Sequence, residues 1–243
     1  MPQYDRFFSF EQVFNFRDMG GYRAGDGRTV RWRRLLRTAE HHRMSEAEAE
    51  RLRGEVEIAT VIDLRAEGEA QHRLEPGPIV TLGATRHVFG MGDPKAKYNA
   101  REAGTWRPSF ASTLDSGAPK WASAIRVLAH ENTYPALLHC VTGKDRTGVL
   151  GALILGVLGV DDDAIVEDYG LSQRGMDEMV TSMRERGIIK PGEALNPALA
   201  VVPAAMREML DDLHERYGSA SDFMQAHGVD QPTLDRVRAL LLE

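Results

Sequence analysis

The sequence predicts an α/β fold, with a central, mostly parallel β-sheet flanked by helices, and three stretches of the chain support that prediction. Residues 136–138 form an apolar strand, which leads through a short polar loop into an apolar helix over 147–158. Residues 57–64 are a second, largely apolar run of the kind that parallel sheets bury on both faces. The chain over 161–243 is predicted to be mostly helical.

The remaining elements follow from local signals. Ser45 and Glu48 match a capping box, which predicts a short helix over 46–53. Residues 94–119 are polar and interrupted by proline and glycine, so a loop or lid is expected there. The other predicted elements are strand pieces at 30–33 and 35–37, a strand at 86–89, and helices at 121–130, 161–187, 203–217, 219–227 and 232–242.

Length and composition fit one domain over residues 1–243. The net charge of −6 gives no reason to expect a nucleic-acid partner, and a single cysteine excludes an internal disulfide. No apolar run has transmembrane length, and the first residues lack the apolar core of a signal peptide. We therefore expect a cytoplasmic location, with secretion by a route that reads no N-terminal signal left open.

The loop that joins the 136–138 strand to the next helix carries the most informative pattern. Cys140 opens it and Arg146 closes it, with five residues between them. The amides at a helix N-terminus and in a tight loop suit a bound anion. Gly143 permits backbone torsions that a side chain would forbid. Arg146 offers a planar fork for two phosphate oxygens, and the same positive environment favours the thiolate of Cys140.

The run from His139 to Gly148, His-Cys-Val-Thr-Gly-Lys-Asp-Arg-Thr-Gly, resembles the phosphate-binding loop of cysteine-dependent phosphatases. It is most similar to the bacterial atypical tyrosine/lipid phosphatases of the mycobacterial protein-tyrosine-phosphatase B type. Further matches are Asn15-Phe-Arg-Asp18, Arg37 in Leu-Leu-Arg-Thr-Ala-Glu, Asp63-Leu-Arg65, Asp168-Tyr169 and the run over 217–242. The resemblance implies a cysteine-phosphatase fold with extra C-terminal helices. It also implies a phosphorylated protein or phosphoinositide as substrate, and no cofactor.

That family chemistry implies roles for the loop residues. Cys140 would attack phosphorus, and Arg146 would stabilise the phosphoryl oxygens. The loop amides would contribute to the same stabilisation, from Val141, Thr142, Gly143, Lys144, Asp145 and Arg146. Thr147 is expected to donate a hydrogen bond to the sulfur, and His139 to fix the loop geometry. We expect no metal ion, because no cluster of ligands with suitable spacing stands out.

The general acid has two candidates. Asp93 falls on the position that carries the proposed acid in the family, in a loop where Gly90 and Gly92 replace the usual prolines. Asp145 lies inside the phosphate loop itself. Asp63 is expected at the carboxyl edge of the sheet, and a structural hydrogen-bonding role with Arg65 suits it at least as well as a catalytic one.

Other functions use similar loops. A sulfurtransferase or an arsenate-reducing enzyme also places cysteine in an anion-binding loop, but Arg-Thr-Gly at the helix start favours a phosphatase. A phosphoprotein-binding module of low activity would keep Arg146 and the amides, and Cys140 argues against it. A nucleotide-binding P-loop is excluded, because Leu138 and Asp145 stand where that motif requires glycine and Ser/Thr.

Overall fold

A sheet of five strands lies at the centre of the described residues, which are 4–66, 76–91 and 109–243 of this computed structural model. The strands are β1 (Arg17–Asp18), β2 (Leu35–Thr38), β3 (Thr60–Asp63), β4 (Thr85–Val88) and β5 (Ala136–His139). Their order across the sheet is β1-β2-β5-β3-β4. Only the β1–β2 pair is antiparallel, so the mostly parallel sheet predicted from the sequence is confirmed.

Helices cover both faces of this sheet. They are α1 (Glu46–Glu55), α2 (Pro78–Thr81), α3 (Phe110–Leu128), α4 (Asp145–Val157), α5 (Asp162–Gly170), α6 (Ser172–Glu185), α7 (Pro203–Tyr217), α8 (Ala220–Ala226) and α9 (Gln231–Leu241). Short 3-10 turns occur at Glu131–Thr133 and Pro197–Leu199.

Successive side chains of the central strands pack into two separate hydrophobic cores, one on each face of the sheet. Val61 and Leu137 face the smaller core, which contains residues of α1 and α2. Ile62 and Leu138 face the larger core, which contains residues of α3, α4 and the C-terminal helices. Because successive strand residues point to opposite faces, apolar runs such as these are what a sheet covered on both sides requires.

Helix α4 follows β5 and packs within the larger core. Most of its side chains are buried, including Leu150, Leu153 and Ile154. A helix that is apolar around its whole circumference belongs in an interior, and this burial fixes the start of α4 against the end of β5.

Two helix predictions were wrong. The helix predicted at 121–130 begins at Phe110, so the segment expected as a lid over 94–119 ends in helical turns, while 94–108 lies outside the described residues. Gly117 leaves room for the indole of Trp121, so glycine serves packing there. The single helix predicted over 161–187 is two helices that meet at Leu171. Gly170, a weak helix former, immediately precedes that junction.

The strand piece predicted at 30–33 is also absent. Val30 forms an isolated bridge with Leu242, and Arg33 has a positive φ of 62° that a strand excludes. The last strand of the sheet on that side is therefore β1. None of the helices in the described ranges combines the length and apolar character needed to cross a membrane.

Candidate active site

The loop over 140–144 lies at the carboxyl edge of the parallel strands. Thr38 and Asp63, the last residues of β2 and β3, are both in register with His139 at the end of β5. Cys140 follows directly, and α4 begins at Asp145. The loop therefore joins a sheet edge to a helix N-terminus, where open α/β folds bind their ligands.

Gly143 allows the loop to turn against the end of β2. Its φ is 64°, and a Cβ atom at this position would collide with the carbonyl group of Thr38. A side chain is therefore excluded both by the backbone conformation and by the neighbouring strand.

The Cys140 thiol is free and buried, with 1% of the residue exposed. Burial alone raises the pKa of this thiol, but the charge of Arg146 and hydrogen bonds from the Thr147 hydroxyl and amide outweigh it. The net pKa of Cys140 lies below its ordinary value. The arrangement favours a thiolate, which is the nucleophilic form of cysteine.

Arg146 extends from the start of α4 over the ends of two neighbouring strands. Its Nη1 donates to the carbonyl oxygen of Leu64, at 3.3 Å, and to that of Met91, at 3.2 Å. Leu64 directly follows β3, and Met91 lies shortly after β4. The guanidinium is thus positioned at the same sheet edge as the sulfur.

The side chain of Lys144 makes its contacts inside the protein. The side chain is fully buried, and its Nζ donates to the carbonyl oxygen of Ala200 at 2.6 Å. The same Nζ lies 3.1 Å from Oδ1 of Asp145. Lys144 therefore ties the loop to the segment before α7 and pairs with the neighbouring aspartate.

Asp63 is the centre of a polar network on one side of the loop. We call Asp63, Arg65, Arg86 and His139 the Asp63 cluster. The Asp63 carboxylate is buried and accepts hydrogen bonds from Arg65, at 2.8 Å to Nη2, and from Arg86, at 3.1 Å to Nε. Burial raises the pKa of Asp63, but His139 and Arg65 bring it far below its ordinary value.

His139 connects this cluster to the cysteine. Its Nδ1 lies 3.2 Å from the carbonyl oxygen of Cys140, and its Nε2 lies 3.5 Å from Oδ1 of Asp63. Burial lowers the pKa of His139 to about 4, although Asp63 acts in the opposite direction. The ring of His41 packs edge to face against it at 4.8 Å, and burial also lowers the pKa of His41. Both imidazoles are therefore neutral at neutral pH.

A second network lies on the other side of the loop. We call Asn15, Arg17, Arg37 and Asp168 the Asp168 cluster; all four residues are buried. The Asp168 carboxylate accepts from Arg37 Nη1 at 2.6 Å and lies 3.5 Å from Arg17 Nε. Burial raises the pKa of Asp168, and the two arginines bring it below its ordinary value. Burial and the charge of Arg37 lower the pKa of Arg17 to about 10.

The Asp168 cluster binds the backbone of the 140–144 loop directly. Asn15 Nδ2 donates to the carbonyl oxygens of Thr142, at 3.1 Å, and Gly143, at 3.0 Å. Arg37 Nη2 donates to those of Gly143, at 2.9 Å, and Lys144, at 3.3 Å. Both side chains lie in segments that match the family in sequence, and the structure adds their hydrogen bonds to the loop.

The structure thus brings together most of the residues singled out from the sequence. Cys140, Arg146, Thr147 and His139 meet at one sheet edge, with Asp63 behind His139 and the amide-bearing residues Val141, Thr142, Gly143, Lys144 and Asp145 in the loop between them. Asp93 lies outside the described residues. Within the described ranges, no three or more His, Cys, Asp and Glu side chains form a group able to hold a metal ion.

The sequence of this chain is similar to those of known phosphatases. The tyrosine phosphatase family matches residues 8–243. The triple specificity protein phosphatase PtpB of Mycobacterium tuberculosis is 27% identical over 278 residues, covering 95% of this chain and 97% of the relative. A tyrosine-protein phosphatase of Nostoc commune is 25% identical over 140 residues, covering 55% of this chain and 48% of the relative.

Among solved structures, the core catalytic domain of the PP-IP phosphatase SIW14 from S. cerevisiae is 16% identical, with a TM-score of 0.40. The match covers 78% of this chain and 88% of that one. The family assignment depends instead on the sequence, because the family match extends over nearly the whole chain and includes the loop, β5 and the C-terminal helices. The chain belongs to the tyrosine phosphatase family.

Proposed function

We propose that this phosphatase hydrolyses phosphomonoesters through a phosphocysteine intermediate on Cys140. The observation that carries the proposal is the position of the sulfur: it lies between the end of β5 and the start of α4, with its pKa lowered by Arg146 and Thr147. A buried cysteine with a structural role would have its pKa raised by burial and would not be paired with an arginine.

In the first step, the Cys140 thiolate attacks phosphorus in line with the leaving oxygen. The P–S bond forms as the P–O bond breaks, and an aspartic acid donates a proton to the departing oxygen. Arg146 and the amides of the loop stabilise the charge on the three equatorial oxygens. In the second step, a water attacks phosphorus while the same aspartate, now ionised, accepts its proton. The P–S bond breaks, and Cys140 leaves as the thiolate, which the Thr147 hydroxyl stabilises.

Asp93 and Asp145 are the candidates for the acid, and the family pattern favours Asp93. Asp145 lies at the loop and is paired with the buried Lys144 at 3.1 Å. An acid matters most when the leaving group is a poor one. An alkoxide from serine or inositol therefore depends on protonation more than a phenolate from tyrosine does.

We propose phosphotyrosine proteins as substrates, with phosphoserine, phosphothreonine and phosphoinositides as further ones. The chain is similar over nearly its whole length to a phosphatase named for triple specificity. We also propose a cytoplasmic site of action.

The chemistry is tested by comparing Cys140→Ser with Arg146→Ala. We expect the first variant to lose turnover of para-nitrophenyl phosphate while still binding inorganic phosphate, and the second to lose both. Trapping of a phosphorylated Cys140 by rapid acid quench would confirm the intermediate. Turnover by Cys140→Ser at the wild-type rate would overturn the mechanism. Absence of turnover in the wild-type protein would favour the phosphoprotein-binding alternative.

The acid and the substrate class are tested together. The kcat of Asp93→Asn and Asp145→Asn is compared on a phosphotyrosine peptide, a phosphoserine peptide and phosphoinositide head groups. Loss of the true acid removes the decline of kcat at alkaline pH and slows the alkyl phosphates more than the aryl one. If only Asp145→Asn shows this pattern, Asp145 is the acid and the assignment to Asp93 is wrong.

A further inference from the structure

The Asp168 cluster has no part in the bond-making steps, yet it contacts the phosphate loop at three consecutive carbonyl groups. Asn15 and Arg37 together donate to the carbonyl oxygens of Thr142, Gly143 and Lys144 at 2.9–3.3 Å. Four hydrogen bonds from two buried side chains to three successive peptides are more than is needed to hold a surface turn.

The planarity of the peptide bond gives these contacts a consequence for the amides. In a trans peptide, the N–H of each residue points opposite to the carbonyl oxygen of the residue before it. When the carbonyls of Thr142, Gly143 and Lys144 point toward the cluster, the N–H groups of the following residues point away from it. Those N–H groups belong to Gly143, Lys144 and Asp145.

We propose that Asn15 and Arg37 are positioning residues, which aim these three amides at the bound phosphoryl group by holding the opposite ends of the peptides. This inference rests on the proposed phosphatase chemistry and adds to it the residues that orient the oxyanion site. Donors fixed in advance stabilise a developing charge without reorganisation during the reaction.

The neighbours of these two residues explain why they can hold the loop firmly. Arg37 uses Nη1 for Asp168 and Nη2 for the loop, so both ends of its fork are fixed. The side-chain oxygen of Asn15 accepts from Arg17, which leaves its Nδ2 free to face the loop. Gly175 of α6 packs against the backbone and Cβ of Asn15, with no space for a side chain between them.

The charge of the cluster acts in the same direction. Arg17 and Arg37 carry two positive charges against one negative charge on Asp168, and all three groups are buried. One net positive charge therefore remains beneath the loop, in surroundings that screen it poorly. Such a charge favours both a phosphate dianion and the Cys140 thiolate.

The test uses two variants that change hydrogen bonding without adding negative charge. Asn15→Gly removes the amide donor and tolerates the positive φ of 57° at this position. Arg37→Lys keeps the charge but loses the fork that reaches the carboxylate and the loop together. Arg238→Lys is the matched control, because Arg238 Nε donates to the carbonyl oxygen of Val157 at the far end of α4.

For Asn15→Gly and Arg37→Lys, we expect the inhibition constant of inorganic phosphate to rise about tenfold or more and kcat to fall, with the protein still folded. The pH profile of Cys140 alkylation by iodoacetamide should shift upward. The control should keep wild-type values. Variants that lose thermal stability but bind phosphate as tightly as the wild type would overturn the inference. Failure of the wild type itself to bind phosphate would overturn the proposed function instead.

Discussion

Two buried aspartates, Asp63 and Asp168, flank the phosphate loop, and the side chains around them support that loop in different ways. The Asp63 cluster lies on the β3–β4 side of β5, and the Asp168 cluster on the β1–β2 side. Each carboxylate is held by two arginines. The Asp63 cluster reaches the loop through the side chain of His139, whereas the Asp168 cluster binds the loop backbone itself.

Exposure to solvent also differs between the two clusters. Arg86 is 23% exposed, while the side chains of Arg17 and Arg37 are 0% and 1% exposed. Water can therefore compensate Arg86 for a lost partner, but it reaches neither Arg65 of the same cluster nor the two arginines of the Asp168 cluster. The comparison suggests that the first cluster stabilises the sheet edge behind the cysteine, while the second determines the shape of the loop.

The largest effect should come from Asp168→Ala. Two buried arginines would be left without a counter-ion, and breaking a buried pair in this way costs about 3–5 kcal/mol. We expect the free energy of unfolding in urea to fall by that amount, and by less in Asp63→Ala, where Arg86 can turn to solvent. Equal losses in the two variants would mean that the exposure of Arg86 does not protect the Asp63 cluster.

The pH dependence of the free energy of unfolding should come mainly from the buried histidines on the Asp63 side of the loop, His139 and His41. His139 has a pKa of about 4 in the folded protein, against about 6.5 in an unfolded chain. Below pH 6.5 the unfolded chain takes up a proton that the folded one excludes, so stability falls as the pH drops toward 4. His41 acts in the same direction. At pH 5, His139 costs about 2 kcal/mol relative to pH 7.

The measurement is urea unfolding at pH 7 and pH 5, in the wild type and in His139→Gln. The variant should lose the part of the pH-dependent decrease that His139 contributes, about 2 kcal/mol, and keep the part that His41 contributes. Between pH 7 and pH 5, protonation of Asp63 changes the free energy of unfolding little, because its carboxyl takes up protons only at lower pH. An unchanged pH dependence in His139→Gln would show that the native protein accommodates the protonated ring.

Much of the site could be predicted from the sequence, because its signals are local. The spacing from Cys140 to Arg146, the apolar strand before it and the apolar helix after it are contiguous in the chain. The sequence likewise predicts Gly143 as the residue that permits the turn. A Cβ atom there would collide with the carbonyl group of Thr38 on β2, which explains why no residue with a side chain fits. The location of the loop and the strongest part of the family resemblance follow from this one segment, whereas the fold class also depends on the apolar run over 57–64 and on the helical pattern over 161–243.

Apart from the pairing of Asp63 with Arg65, the two clusters could not be predicted, because they form between segments far apart in sequence. Asn15 and Gly143 are separated by 128 positions, and Arg37 and Asp168 by 131. Nothing in the pattern around Asp168 shows that two arginines will neutralise it. The same applies to Lys144, whose position in the loop suggests a substrate contact until its bond to Ala200 is seen.

The smallest effect should come from Arg86→Gln, at the exposed rim of the Asp63 cluster. Arg65 would still hold the Asp63 carboxylate through Nε and Nη2, at 3.0 and 2.8 Å. Because Arg86 is partly exposed, we expect a loss of about 1 kcal/mol or less in the free energy of unfolding. Phosphate inhibition should be unchanged, since this arginine reaches neither the loop backbone nor the sulfur. A tenfold weaker binding of phosphate in Arg86→Gln would mean that the Asp63 cluster, too, controls the shape of the loop.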